Sequence, residues 1–143
     1  MSTGPVTLAL PIADRGTSFE FYRAALGLTP FGEPAEDGLP EPLQFAVNDG
    51  LRLMLVPAEG FGWVVGGREV AGRGTSECLL GLSAGTEAEV DAIIQRATGA
   101  GAEIVIQPGQ QPWGYAGTFA DPDGHAWMVT KADQAAGDST SAP

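Results

Sequence analysis

The chain has 143 residues, 43% of them hydrophobic, and a formal net charge of −11 from 18 acidic and 7 basic residues. This length suits one domain of ordinary size, or two small units that share a core. The acidic balance predicts neither a nucleic-acid nor a membrane partner, because both are bound through basic residues. With one cysteine, no signal-type segment and no long apolar run, the sequence predicts a cytoplasmic protein.

The first half of the chain predicts a strand, a helix and three more strands. Alternating or continuous apolar residues place the strands at 6–10, 28–31, 43–47 and 51–56. Thr17 or Ser18 can cap the helix, and Gly27 ends it. Asn48-Asp49-Gly50 is a strong turn signal between the last two strands. The glycine-rich stretch 57–74 is predicted to be a long loop or linker.

The second half predicts the same order of elements. Thr86 precedes a helical pattern that ends at Gly101. The composition of Asp121-Pro122-Asp123-Gly124 is typical of a turn. The strands of this half are predicted at 78–83, 103–107, 115–120 and 126–130.

A fixed offset relates the two halves. Gly27 and Gly101 lie 74 positions apart (101 − 27), and so do Gly50 and Gly124 (124 − 50). We therefore predict an α+β fold of two β-α-β-β-β modules, at about 5–57 and 75–131, within a single domain spanning 1–132. The modules are expected to form an open, curled mixed sheet around a cleft, with the helices on the outer face. Residues 133–143 are predicted to be a flexible tail.

Strand alternation predicts which side chains face that cleft. If the last turn has four residues, Phe119 opposes Ala126 and shares a face with Met128, while His125 and Trp127 point to the helix side. The 74-residue offset then gives the matching set in the first module. That set is Phe45, Arg52, Met54 and Val56.

Two stretches carry a family resemblance. Ala25-Leu26-Gly27-Leu28 resembles the end of the first β-α unit of the vicinal oxygen chelate superfamily, and 113–127 is similar to its last hairpin. More narrowly, this hairpin resembles the glyoxalase/bleomycin-resistance-like group, which includes predicted lactoylglutathione lyases. The resemblance implies paired modules, a homodimer and, in many members, a divalent metal in the cleft.

The resemblance also implies where metal ligands would lie, on the first and fourth strands of each module. The matching positions are Thr7, Met54, Gly81 and Met128. None of these is a histidine, glutamate or glutamine, although hard divalent cations prefer carboxylate oxygen or imidazole nitrogen. We therefore predict no metal site, no cofactor and no catalytic residue of the family type.

The expected partner is a small molecule, cationic or aromatic in character. Methionine adapts to irregular apolar ligands, and aromatic rings stack on flat ones; ordinary core packing remains the alternative for these side chains. The predicted ligand-binding residues are Phe45, Arg52, Met54, Trp63, Trp113, Tyr115, Phe119 and Met128.

Three functions remain open at this point. The first is a metal-free small-molecule-binding protein that sequesters an antibiotic or an aromatic metabolite. The second is a glyoxalase-like lyase or isomerase working without the family metal site, with Tyr115, Arg52 or a loop carboxylate moving the proton. The third is a non-catalytic dimerisation module that acts on another protein. The sequence leaves the ligand, any catalysis and the dimer arrangement undecided.

Overall fold

The computed structural model describes residues 3–132, which fold as two units separated in sequence between Thr75 and Ser76. Each unit is a four-stranded mixed sheet with one long helix, in the order β-α-β-β-β. The predicted α+β class and the two modules are thus confirmed. The predicted tail, 133–143, lies outside the described residues. No helix within 3–132 is long and apolar enough to cross a membrane.

The first unit has its sheet in the order β1-β4-β3-β2, with β1 parallel to β4 and the other pairs antiparallel. A short second helix, α2, follows the sheet. The elements are β1 (Val6–Ile12), α1 (Arg15–Leu26), β2 (Thr29–Phe31), β3 (Leu43–Asn48), β4 (Leu51–Pro57) and α2 (Ala58–Val64).

The second unit repeats this topology in the order β5-β8-β7-β6, again with its outer pair, β5 and β8, parallel. Its edge strand β6 is three times as long as β2 and has two register shifts against β7. The elements are β5 (Leu79–Ala84), α3 (Glu87–Gly99), β6 (Glu103–Gln111), β7 (Gly114–Ala120) and β8 (Ala126–Lys131).

Both long helices begin at a side-chain cap. Asp14 caps α1 by accepting the Thr17 backbone N–H at 2.8 Å, so the predicted caps Thr17 and Ser18 are wrong by one turn. The carboxylate of Asp14, one residue before the helix, accepts a backbone N–H of the first turn that has no partner within the helix. The side chain of Thr17 lies inside this turn and cannot serve as its cap. Thr86, which was predicted to precede α3, caps this helix, and Gly27 ends α1 in the left-handed conformation at φ 63°.

The core of each unit lies between its long helix and one sheet face. In the first unit the fully buried Phe45 lies 6.0 Å from Phe19 and 5.9 Å from Tyr22, measured between ring centroids. In the second unit Phe119 stacks on Trp127 with centroids 6.3 Å apart. Aromatic pairs at such distances bury much apolar area and fix the helix against the sheet.

The stretch predicted as a long loop, 57–74, contains α2 at Ala58–Val64. Two glycines in seven residues hid this helix, because glycine lowers helix propensity. α2 has no buried residue and lies beside the end of β4. A Cβ placed on Gly60 would sit 3.5 Å from Val56 Cγ1.

Candidate functional site

Each sheet has one face that turns away from the long helix of its unit, and we call it the distal face. Side chains alternate between the two faces along a strand. Leu53 and Leu55 of β4 are buried on the α1 side, so Arg52, Met54 and Val56 belong to the distal face, as predicted. In β8, Trp127 and Val129 are buried and Met128 is distal.

Strand register orders the distal face of the first unit into rows. The central row has half-buried Met54 at its middle, flanked by its partners on β1, β3 and β2. Its members are Ala9, Met54, Gln44 and Phe31. The neighbouring row is Thr7, Arg52, Ala46 and Thr29.

The distal face of the second unit has the same two rows with different side chains. Its central row is built around half-buried Met128 and consists of Gly81, Met128, Thr118 and Ile106. The neighbouring row is Leu79, Ala126, Ala120 and Glu103. Across these four rows, Arg52 and Glu103 are the two ionisable residues.

The predicted ligand-binding role of Phe45 and Phe119 loses its basis in this register. Phe45 pairs with Leu53, and Phe119 pairs with Trp127, so both rings point to the helix side and are 0% exposed. The predicted pairing of Phe119 with Ala126 is off by one residue. A slip of one residue moves every side chain to the opposite face of a strand.

Two local features cause the slip. In the first unit the register shifts between Ala46 and Asn48, a bulge that inserts Val47 into β3. In the second unit the loop between Ala120 and Ala126 has one residue more than the predicted turn. The buried Asp121 carboxylate holds this longer loop by accepting the backbone N–H groups of Asp123 (2.9 Å) and His125 (2.8 Å).

Tyr115 also lies on the helix side, contrary to prediction. It precedes Phe119 by four residues and so shares its face, and its hydroxyl donates to Asp91 Oδ1 of α3 at 2.7 Å. This hydrogen bond raises the pKa of Tyr115, since the neutral phenol is the donor. Tyr115 lines a groove of about 410 Å³ between α3 and β6, together with Asp91, Gln95 and Gln107.

Arg52 lies on the distal face and is exposed, with its guanidinium carbon 5.1 Å from the centroid of the Phe31 ring. The acidic loop at 33–41 carries carboxylates that could pair with Arg52. Its Asp37 and Glu41 instead form ion pairs with Arg15 at the start of α1, the latter at 3.2 Å.

The two remaining predicted ligand contacts are exposed tryptophans. Trp63, on α2, is 84% exposed, and Trp113, in the turn between β6 and β7, is 56% exposed. Trp63 belongs to the first unit and Trp113 to the second, and both side chains are exposed to solvent. Their position suits contact with a ligand or partner, and their role stays a prediction.

The metal positions implied by the family resemblance require one correction. Met128 pairs with Gly81, but Met54 pairs with Ala9 rather than Thr7, because β1 is shifted by two residues relative to the 74-residue offset. Alanine and glycine offer no ligand atom, and a thioether is a poor ligand for a hard cation. These residues do not fit the divalent metal of the family, and within 3–132 no cluster of three His, Cys, Asp or Glu could hold one.

Sequence reasoning missed Phe31, Gln44 and Glu103 as members of the distal faces. Gln44 follows from the correct parity, since it neighbours the core residue Phe45. Phe31 lies in a strand of three residues, too short for an alternating pattern. Glu103 begins an edge strand whose two register shifts obscure its periodicity.

Comparison with known proteins identifies a family that shares this sequence pattern and fold. A sequence profile of the glyoxalase/bleomycin resistance protein/dioxygenase superfamily matches residues 4–129. No curated protein sequence matches the chain. Among solved structures, a glyoxalase-related enzyme from Fulvimarina pelagi is 27% identical with a TM-score of 0.76, covering 89% of this chain and 86% of that one.

Two further structures share the fold at lower identity. A hypothetical protein from S. aureus is 22% identical with a TM-score of 0.77, covering 92% of this chain and 95% of that one. TnmS3, an antibiotic binding protein from a Streptomyces species, is 23% identical with a TM-score of 0.62, covering 93% and 98%. With the profile match and the two β-α-β-β-β units, the chain belongs to the glyoxalase/bleomycin resistance protein/dioxygenase superfamily.

Proposed function

We propose that this protein binds a small aromatic organic molecule on the distal faces of its sheets, without the metal of the family. The observation that carries this proposal is the composition of the two central rows. At the position of the expected metal ligands, Met54 and Met128 stand beside Ala9 and Gly81. These rows offer polarizable apolar surface in place of charged ligand atoms.

The physical chemistry of these rows favours a flat apolar ligand. A methionine thioether adjusts its three torsions to an irregular surface and makes favourable contacts with aromatic rings. Phe31 adds a ring in the central row of the first unit, and the exposed Trp63 and Trp113 are proposed as additional walls. Small residues beside each methionine leave room above the sheet.

The fold likeness to an antibiotic binding protein supports a ligand of the antibiotic or aromatic-metabolite kind. In this reading the protein sequesters its ligand and leaves it unchanged. We further propose a homodimer, the assembly that the family resemblance implies. Sedimentation equilibrium of the purified protein tests this assembly independently of the ligand.

The test is a thermal-shift screen against flat aromatic and antibiotic compounds. A ligand at 100 times its Kd stabilises the native state by about 2.7 kcal/mol, which raises Tm by several degrees in a protein of this size. Met54→Ala or Met128→Ala should reduce the shift caused by a hit. Val105→Ala, which removes an exposed apolar side chain of an edge strand, is the control and should leave the shift unchanged.

The same screen includes Zn²⁺ and Ni²⁺ as separate additions. Because the rows lack suitable donors, we expect neither ion to raise Tm. Stabilisation by a metal at stoichiometric concentration, or the absence of any organic hit across a broad panel that includes uncharged compounds, would remove the proposal.

A glyoxalase-like activity without the family metal is the second candidate, and the 27% identity to a glyoxalase-related enzyme favours it. It requires a group that moves a proton. Tyr115 is turned to the helix side and bonded to Asp91, and the guanidinium of Arg52 offers N–H donors but no acceptor for a proton. Glu103 is the carboxylate that the rows retain. Turnover of methylglyoxal hemithioacetal by metal-stripped protein, lost in Glu103→Gln, would establish this alternative.

A further inference from the structure

We propose that the distal face of the first unit selects an aromatic ligand that carries a negative charge, a carboxylate or phenolate, and that Arg52 and Phe31 together recognise it. This inference rests on the proposed function and names the ligand class of the same site. It opposes the expectation from composition, in which a chain of net charge −11 favours a cationic ligand.

The first step is the position of the Arg52 guanidinium. Arg52 is on β4, and its direct partner on β3 is Ala46, whose methyl group is small enough for a long side chain to pass over it. The Arg52 side chain reaches across β3 and places its guanidinium carbon 5.1 Å from the centre of the Phe31 ring on β2. A cation over an aromatic face is held in place by the ring quadrupole, so the guanidinium stays over the sheet.

The second step is the charge balance around Arg52. The acidic loop that could neutralise it directs Asp37 and Glu41 to Arg15 instead. Within the described part of the chain, no carboxylate lies within ion-pair distance of Arg52. Its N–H donors are therefore available to an incoming anion, in a protein with 18 acidic residues.

The third step is the chemistry that such a site recognises. A guanidinium presents planar donors that match a carboxylate in two parallel hydrogen bonds. The half-buried Met54, one position along the distal face of β4, and the Gln44 side chain beside it lie in the adjoining row. A ligand with a flat ring over Met54 and Phe31 and an acidic group at Arg52 satisfies both parts of the surface.

Another arginine in the same unit provides a matched control. Arg23 lies over the Phe19 ring at 5.3 Å, which is almost the distance found for Arg52. Arg23 belongs to the last turn of α1, and Phe19 packs towards Phe45 on the helix side. Removing Arg23 changes the net charge by the same amount as removing Arg52, without touching the distal face.

The experiment compares three probes that share one ring system: naphthalene-2-carboxylate, naphthalene-2-carboxamide and 2-naphthylmethylammonium. Isothermal titration gives the affinity of each for the wild-type protein. Because hydrogen bonds to charged groups contribute more than neutral ones, we expect the carboxylate to bind at least about tenfold more tightly than the carboxamide. The ammonium probe should bind most weakly.

Substitutions test whether Arg52 causes the preference for the carboxylate probe. Arg52→Gln should bring the carboxylate down to the affinity of the carboxamide, and Arg52→Lys should retain part of the difference, since it keeps the charge but loses the planar donors. Arg23→Gln should leave all three affinities unchanged. Arg52 is exposed, so we expect the variants to fold, and their Tm values verify this.

The outcomes separate this inference from the proposed function. Equal binding of the three probes, tighter binding of the ammonium probe, or a carboxylate preference that survives in Arg52→Gln would overturn the anionic-ligand inference and leave aromatic binding intact. Failure of all three probes to bind would overturn the inference and count against the proposed function as well.

Discussion

The two units share a hairpin geometry yet present different chemistry on their distal faces. Phe45 pairs with Leu53 as Phe119 pairs with Trp127, which preserves the 74-residue offset throughout both hairpins. In the neighbouring row, however, the place of Arg52 in the first unit is taken by Ala126 in the second. The repeated backbone register thus supports two surfaces that differ in side-chain size and charge.

The offset itself differs between the parts of each unit. The helix caps Asp14 and Thr86 lie 72 positions apart (86 − 14), as do Ala9 and Gly81 (81 − 9), which hold the same place beside Met54 and Met128. The distance from strand to cap is thus the same in both units, and the second unit has two residues more between its helix cap and its hairpin (119 − 86 = 33 against 45 − 14 = 31). The comparison teaches that equivalent positions are set by pairing in the sheet and not by a constant sequence offset.

The largest expected effect is on the free energy of unfolding, and it should differ between alanine substitutions on the two faces of each sheet. Phe45→Ala and Phe119→Ala should each lower the free energy of unfolding by about 3–5 kcal/mol, because both rings are fully buried against a helix. Met54→Ala and Met128→Ala, on the distal faces, should cost about 1 kcal/mol. Urea denaturation measures all four. Similar losses at the phenylalanines and methionines would contradict the register described for these sheets.

A smaller difference is expected between the two hairpin loops. Asp121→Ala leaves two backbone N–H groups of a half-buried loop without their acceptor, and we expect a loss of about 2 kcal/mol. In the first unit Asn48 accepts the Gly50 N–H at an exposed turn, so Asn48→Ala should cost about 0.5 kcal/mol. Asp121→Asn retains a carbonyl acceptor and should recover part of the loss. An equal cost for the two alanine variants would show that the longer loop does not depend on Asp121.

The helix caps should respond differently to acid. Hydrogen bonds from the Thr17 backbone N–H and hydroxyl lower the pKa of Asp14 below its usual 3.8. A carboxyl with a lowered pKa in the folded state stabilises it at higher pH, and this contribution is lost as pH falls through 3.8 towards the lowered pKa. The hydroxyl cap of Thr86 does not titrate. Amide exchange of Thr17 should therefore accelerate in this pH range relative to amide exchange of Glu89. In Asp14→Asn, whose cap does not titrate, this acceleration should be absent. Parallel exchange of the two amides in the wild-type protein would contradict the expected difference between the caps.

The smallest effect is expected at alkaline pH, in the second unit alone. Because the pKa of Tyr115 is raised above 10.0 by its hydrogen bond to Asp91, the neutral phenol stabilises the fold below pH 10 and this contribution disappears as pH rises through the raised pKa. Tyr115→Phe should remove this component of the pH dependence, with little change in Tm at pH 7. An unchanged alkaline transition in the variant would show that the Tyr115–Asp91 bond does not contribute.

The sequence predicted the element order and both long helices because apolar periodicity and glycine stops are local signals. It misplaced Phe45 and Phe119 because one inserted residue, Val47, and one additional loop residue reverse the face of a strand without changing the composition. The pairing of Arg15 with the acidic loop was equally hidden, since these partners are 22 and 26 residues apart (37 − 15 and 41 − 15). Arg52, Met54 and Met128 were placed on the correct face because the buried residues of β4 and β8 alternate without interruption.

The most direct test of ligand binding at the distal faces is NMR of the protein labelled with ¹³C at its methionine methyl groups. The chain has three methionines, and Met54→Leu and Met128→Leu assign the two signals of interest. Titration with naphthalene-2-carboxylate should shift the Met54 methyl upfield through the ring current of the bound naphthalene, with saturation at the affinity measured by calorimetry. Binding of the probe while the Met54 and Met128 methyl signals both stay unchanged would contradict the account.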